Sequence, residues 1–383
     1  MGTWWVKSSE LNDEQKTVIT LDIDKSHLVV GPPGSGKSNL LLLRGQYLIR
    51  AGRPNIAIVS FTRTLQEFMR LGGAQYKLPA ERVFTLRQWQ RDLLWQYGVK
   101  LEKAADFKAE RAQLVAAVTD VIKKRGLKRL YDAVLLDEAQ DYSSEEINTF
   151  RTLANSVFAV ADSKQQIYEG VDVVSMMKND LGSAVQLKFH YRNGMAICRV
   201  ADKIAKVTDG YLSLEDTAQY NEKALPSRVQ SSRHASIDEQ IGAALASVRL
   251  QLKAYPDEYI GILCPRREEL AKVAEKAKLD PALKDKVIHL ADEDYAGVAE
   301  PGRSVWLCTT HSAKGLEFRA LHILGAEFFK KFPTQRNLTY VSVTRAKTSL
   351  NIYHTDALAG YLESALAPPK KAPSVDDLFG EEN

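Results

Sequence analysis

The sequence predicts an α/β chain built as two tandem domains, each a parallel sheet flanked by helices. Three observations lead there. Short apolar strands alternate with 3.6-periodic segments along the chain, a glycine-rich loop follows the first of those strands, and the alternating series runs twice. The first series holds His27 to Val30, Asn55 to Phe61, Ala133 to Asp137, Val157 to Ala161 and Val185 to Leu187. The second holds Tyr259 to Cys264, Val287 to Leu290, Ser304 to Thr309, Ala320 to Leu324 and Leu350 to Tyr353, with helices such as Glu268 to Lys278 between them. The 383 residues suit two or three domains. The expected division is 1–184, 185–366 and a tail, 367–383, whose Pro-Lys start and acidic end read as disordered.

Composition narrows the class. With 45% apolar and 26% charged residues the chain is an ordinary globular one. The run Leu40 to Leu43 stops at Arg44, far short of the roughly 20 apolar residues that span a bilayer, so no membrane segment is expected. Met1 to Lys7 lacks a basic stretch followed by an apolar one, which makes the cytoplasm the expected compartment. Cys198, Cys264 and Cys308 lie far apart, and the histidines show no metal-binding spacing. A net charge of +4 is mild, so contact with nucleic acid is expected from local grooves rather than from a global field.

Gly31-Pro32-Pro33-Gly34-Ser35-Gly36-Lys37-Ser38 fits the pattern GxxxxGK[ST] between a strand and the helical run Asn39 to Ile49. Glycines let successive backbone amides converge on a phosphate, the helix N-terminus adds positive potential, Lys37 neutralises phosphate oxygens, and the Ser38 hydroxyl can hold Mg²⁺. Val134-Leu135-Leu136-Asp137-Glu138-Ala139-Gln140-Asp141 is an apolar strand that delivers acids to the carboxyl edge of the sheet. There Asp137 suits the metal and Glu138 suits deprotonation of an attacking water.

With further segments in order, these motifs resemble superfamily 1 helicases of the UvrD/Rep type, from about Leu11 to Tyr353. The resemblance implies two tandem RecA-like P-loop NTPase domains with ATP and Mg²⁺ between them. Leu11-Asn12-Asp13-Glu14-Gln15 is similar to the Q motif, implying that Gln15 reads adenine. Ser60-Phe61-Thr62-Arg63-Thr64 and the segment around Thr85 resemble strand-contacting motifs, which implies that Phe61, Thr62, Arg63 and Thr85 touch single-stranded DNA. Ala161 to Tyr168 resembles motif III, implying a γ-phosphate sensor in Gln165 and a DNA contact in Tyr168. The family's Trp-Arg pair does not follow; Glu169-Gly170-Val171-Asp172 stands there instead. Phe189 to Asn193 resembles motif IV, implying that Tyr191 stacks on adenine and Arg192 reaches the γ-phosphate. Thr309 to Phe318 resembles motif V, implying strand contacts from Thr310 and His311 and a ribose contact from Glu317. Tyr340 to Lys347 resembles motif VI, whose arginine finger falls on Arg345.

The implied function is an ATP-dependent single-stranded DNA translocase or helicase, 3′-to-5′ in polarity, with duplex junctions or RNA as further substrates. The intervals before the DEAQ strand and between motifs IV and V are short, so the accessory subdomains that engage duplex are reduced. A second reading is a nucleic-acid-stimulated ATPase switch that acts with a partner and unwinds nothing; a third is a small-molecule P-loop kinase. Lys123 to Arg129 reads first as a solvated helix end and second as part of a nucleic-acid track. In Phe328 to Phe332 core packing of the aromatics leads over strand contact. Ser374 to Phe379 reads as a solvated end, or as a docking segment for a protein partner.

Overall fold

The computed structural model describes residues 5–6, 8–162, 184–205, 213–290, 302–330 and 333–368. Gln165, Tyr168, the tetrapeptide after motif III and the acidic tail lie outside the described residues.

Among the described residues the first domain is a six-stranded sheet in the order β3-β2-β4-β5-β1-β6. Its strands are β1 (His27–Val30), β2 (Ile56–Ser60), β3 (Val83–Thr85), β4 (Tyr131–Leu136), β5 (Ala154–Ala161) and β6 (Ala184–Gln186), and every pairing is parallel. A parallel sheet covered on both faces needs strands apolar throughout, and Ile56 to Val59 are all fully buried. Helices α1 (Asp13–Ile19), α2 (Lys37–Arg50) and α3 (Arg63–Gln75) cover one face. Helices α4 (Leu86–Gln96), α5 (Phe107–Arg125) and α6 (Ser144–Leu153) cover the other. Because β6 pairs with β1 through Leu28 and Ala184, the first sheet runs past residue 184, the expected junction.

The second domain repeats the plan with β7 (Arg228–Arg233), β8 (Ile260–Cys264), β9 (Val287–His289), β10 (Val305–Thr309), β11 (Phe318–Ile323) and β12 (Ala346–His354). Their order is β7-β12-β11-β8-β10-β9, again parallel throughout. Helices α7 (Met195–Ala205), α8 (Leu214–Thr217), α9 (Ile237–Ala254), α10 (Arg267–Leu279), α11 (Pro333–Val343) and α12 (Gly360–Leu366) pack on its faces. The edge strand β7 was not foreseen, because Arg-Val-Gln-Ser-Ser-Arg shows neither an apolar run nor clean alternation. The three cysteines are buried and unpaired by disulfide. Among the described residues no helix is long and apolar enough to cross a membrane.

Both sheets present the carboxyl ends of β1, β4, β8 and β10 to the seam between the domains. Loops after parallel strands are where such sheets hold ligands.

Candidate nucleotide cleft and strand groove

Among the described residues, two hollows open along that seam. The first is a cleft of about 370 Å³ lined by Gln15, Gly34, Gly36, Lys37, Ser38, Asp137 and Glu138 from one domain and by Tyr191, Arg192, Gly315, Glu317, Arg345 and Lys347 from the other side. Gly34 and Gly36 sit at φ +77° and +86°, a left-handed region glycine enters without strain. Gly36 is the N-cap of α2, so no side chain caps the helix, and its first turn holds no acid. Amides left uncapped at a helix start suit an anion. Lys37 folds back onto the loop, its Nζ donating to the carbonyls of Gly31 and Pro32 at 2.8 Å each. Burial lowers its pKa against the opposing pull of Asp162 and Glu138. Gly31, Pro32 and Ser35 lie behind the lining; Ser35 is 1% exposed, and its Oγ has no hydrogen-bond partner.

Ser38 Oγ donates to Asp137 Oδ2 at 2.8 Å, which joins the helix start to the end of β4. This hydroxyl and carboxylate are the pair able to hold a hard divalent cation. Burial, then Glu138 alongside, push the Asp137 carboxyl up to about 7. Glu138 adopts a left-handed backbone at φ 51°, a conformation costing about 1–3 kcal/mol in a non-glycine residue. Burial alone would raise its carboxyl, but Lys314, Lys37 and Arg345 together hold it below the ordinary value.

Three residues that the motif reading left without a role fix Glu138. Gln140 donates its amide to Glu138 and accepts from the Asp162 backbone N–H at 3.0 Å, tying the acid to the end of β5. Lys314, only 2% exposed, crosses from the second domain to bind Asp141 at 2.5 Å and lies 3.8 Å from Glu138. Asp141, pushed up to about 6 by burial and partly relieved by Lys314, is the third. Lys314 lies inside the motif V segment, but its partner stands 173 residues away, so local sequence carried no sign of the pair.

The second domain brings its arginines to the same cleft by different means. Arg345 is 1% exposed, and its Nε and Nη1 donate to the carbonyls of Val341 at 2.9 Å and Leu316 at 3.2 Å. Burial, then Arg192, push its pKa down to about 10. Arg192 instead pairs with Glu317, so the residues expected at the γ-phosphate and the ribose hold each other. Tyr191 donates its backbone N–H to Gly34 O at 3.0 Å, and its hydroxyl accepts from the Asn12 amide. Gln15 closes a capping box with Asn12 and donates to Ser35 O at 3.3 Å.

The second hollow, about 750 Å³, is a groove on the other side of motif V. Phe61, Thr62, Arg63, Thr85 and His311 all line it, with Thr309 and Ser312. Thr62 and Thr85 cap α3 and α4, accepting from Leu65 N–H at 3.2 Å and Gln88 N–H at 3.1 Å, so two helix starts face the groove. Six arginines and two carboxylates stand on its walls. Phe61 lies under the Arg111 guanidinium, 5.1 Å from ring centroid to Cζ. Thr310 departs from the expected strand contact: it is 1% exposed and lines neither hollow, because the turn cross-linked by Thr309 and Ser312 at 2.9 Å points it inward. Lys123 to Arg125 form the last turn of α5, closed by Gly126 at φ 62°, away from the groove. Phe329 is buried, and Phe328 packs under Arg266 at 3.6 Å.

Comparison with known proteins adds the following. A search of solved structures finds "The structure of PRRSV helicase" at 16% identity and a TM-score of 0.41, covering 88% of this chain and 54% of that one. A "Probable DNA helicase" from Mycoplasma pneumoniae is 25% identical over 243 residues, 57% of this chain, which spans 42% of that protein's length. The profile of the AAA domain matches residues 23–167, the stretch from β1 to beyond β5. That of the UvrD-like helicase C-terminal domain matches residues 304–353, from β10 to β12. The second of these profiles lies behind the P-loop domain of the first, an arrangement that, with the Mycoplasma relative, supports a likeness to UvrD-like superfamily 1 helicases.

Proposed function

We propose that the chain is an ATP-driven motor on single-stranded DNA, moving 3′-to-5′ as the family resemblance implies. One observation carries the reading: Lys37, Ser38, Asp137 and Glu138 of one domain share a cleft with Arg192, Glu317 and Arg345 of the other. Neither half is a complete catalyst. In this reading the amides of the loop and Lys37 grip the phosphates, Glu138 takes the proton of the attacking water, and Arg345 meets the charge that develops on the γ-phosphate. Ser38 and Asp137 would hold Mg²⁺, which would supply neutralisation of the phosphate charge. Arg192 joins only after leaving Glu317, which ties its arrival to the ribose that Glu317 then receives.

Lys314 supplies the link to the strand. The turn that shows His311 and Ser312 to the groove also sends Lys314 to Asp141 and the side of Glu138. A strand that shifts this turn therefore shifts a cation beside the catalytic base. Alternate closing and release of the cleft then moves one grip past the other.

The test is the ATPase rate with and without an oligothymidylate at a series of salt concentrations. Stimulation that weakens steadily as salt rises is expected, since phosphate contacts release counterions. Absence of stimulation, or stimulation indifferent to salt, would remove the groove from the mechanism. A strand-displacement assay in parallel separates the motor from a switch: stimulated hydrolysis with neither movement nor unwinding selects the switch.

A further inference from the structure

Helix α4 carries Arg87, Arg91 and Trp95 at intervals of four residues, which sets them on one face of the helix. The face looks onto the start of α5. Glu110 accepts from Arg87 Nη2 at 2.5 and 2.7 Å and from Arg91 Nη2, and the Arg87 guanidinium also lies 5.8 Å over the Phe107 ring. Each guanidinium spends a single nitrogen on Glu110, and the two side chains remain 48% and 62% exposed. Phe107 is 45% exposed and Trp95 81%, an unusual surface for an indole that has apolar positions available on the same helix.

These residues join two hollows. Arg87, Arg91 and Phe107 belong to the wall of the 750 Å³ groove. Arg87, Arg91 and Trp95 also line an adjoining hollow of about 570 Å³, with Leu101 and Lys103 on its far side. The groove therefore continues over the two arginines toward Trp95, about 12 Å along the helix from Arg87. Guanidinium groups alternating with exposed aromatic faces are the chemistry that holds a phosphate backbone and stacks its bases.

We propose that the hairpin of α4 and α5 is a second single-stranded DNA subsite, which starts at Arg87 in the strand-contacting segment around Thr85 and runs beyond it through Arg91, Trp95 and Phe107. In it Arg87 and Arg91 hold phosphates while Phe107 and Trp95 stack bases leaving the groove. The proposal rests on the reading that the groove itself takes single-stranded DNA. It also gives the chain stacking faces although the Trp-Arg pair expected after Tyr168 is missing from the sequence.

The experiment measures binding of oligothymidylates from 6 to 20 nucleotides to the full chain, to Trp95→Ala/Phe107→Ala and to Arg63→Ala, with thermal melts of all three. Both aromatics are exposed, so the double variant should melt with the parent. Its affinity for the longest oligomers should fall about 5- to 100-fold for each stacked base lost, while its affinity for the shortest stays at the parent value. An abasic oligomer should bind parent and double variant alike. Parent affinity in the double variant at every length, with Arg63→Ala still weakened, would overturn the subsite and leave the groove standing. Failure of every oligomer to bind the parent would overturn the groove reading as well.

Discussion

The cleft and the groove share one seam and one turn, yet they handle charge in opposite ways. In the cleft the ionic groups are nearly sealed: Asp137 and Arg345 are 1% exposed and Lys314 2%, and each is held by backbone or by an opposite charge. In the groove Arg87 and Arg91 keep about half or more of their side-chain surface. Shielded charges act at short range in a low effective dielectric and cost little reorganisation, which suits a reaction. Charges in water are screened beyond about 10 Å at ordinary salt, which suits a grip that must be released and renewed. In the proposed motor, chemistry and traction would thus be separated by degree of hydration, with Lys314 passing between them.

The strongest way to break the comparison is Arg345→Ala. Loss of an arginine finger should lower turnover by about 10³–10⁵ while nucleotide binding, followed with a fluorescent ATP analogue, survives. Equal losses of binding and turnover would instead make Arg345 part of the scaffold, in keeping with its bonds to Val341 and Leu316.

Next in size is Lys314→Met, which leaves Asp141 and Glu138 facing each other without their cation. Removing one partner of a buried pair costs about 3–5 kcal/mol, and thermal melts should show it. Combining it with Asp141→Asn should return much of the lost stability, because the orphaned charge goes too. No recovery would mean that Lys314 stabilises through packing alone.

Smaller effects belong to the groove. Arg63→Ala should weaken single-stranded DNA binding several-fold and flatten the slope of log affinity against log salt by about 0.7, the contribution of one phosphate contact. An unchanged slope would take Arg63 off the strand. The smallest effect concerns pH. Burial, then Lys314 and Arg267, lower the His311 pKa below its ordinary 6.5, so the ring is neutral at pH 7. Its protonation as pH falls below that value adds a positive charge to the wall, and DNA affinity should rise on acidification. His311→Gln should lack that part of the rise; an identical pH profile would show that His311 does not face the strand.

What could be read from sequence was what is contiguous. The loop Gly31 to Ser38 and the strand ending at Asp137 each carry their chemistry within eight residues, and the apolar strands of a sheet covered on both faces stand out as runs. What pairs at long range could not be read. Lys314 with Asp141, Asn12 with Tyr191 and Arg192 with Glu317 are separated by 173, 179 and 125 residues. The stripe on α4 was visible as letters, but only the closeness of α5 turns it into a surface. Thr310 was misplaced because a resemblance assigns a segment, whereas the turn decides which of its side chains faces outward. Strand β7 escaped because an exposed edge imposes almost no apolar pattern.

At the point where the domains meet, two glycines do the spacing. A methyl group on Gly34 would run into Cβ of Arg192, and one on Gly315 would come within 2.8 Å of Leu65 Cδ1, each at a left-handed backbone position. Alanine at either place is thus a wedge as well as a local strain. It would prop the lobes ajar like a doorstop, and in the proposed motor such a chain would offer a ready means of holding the cleft open.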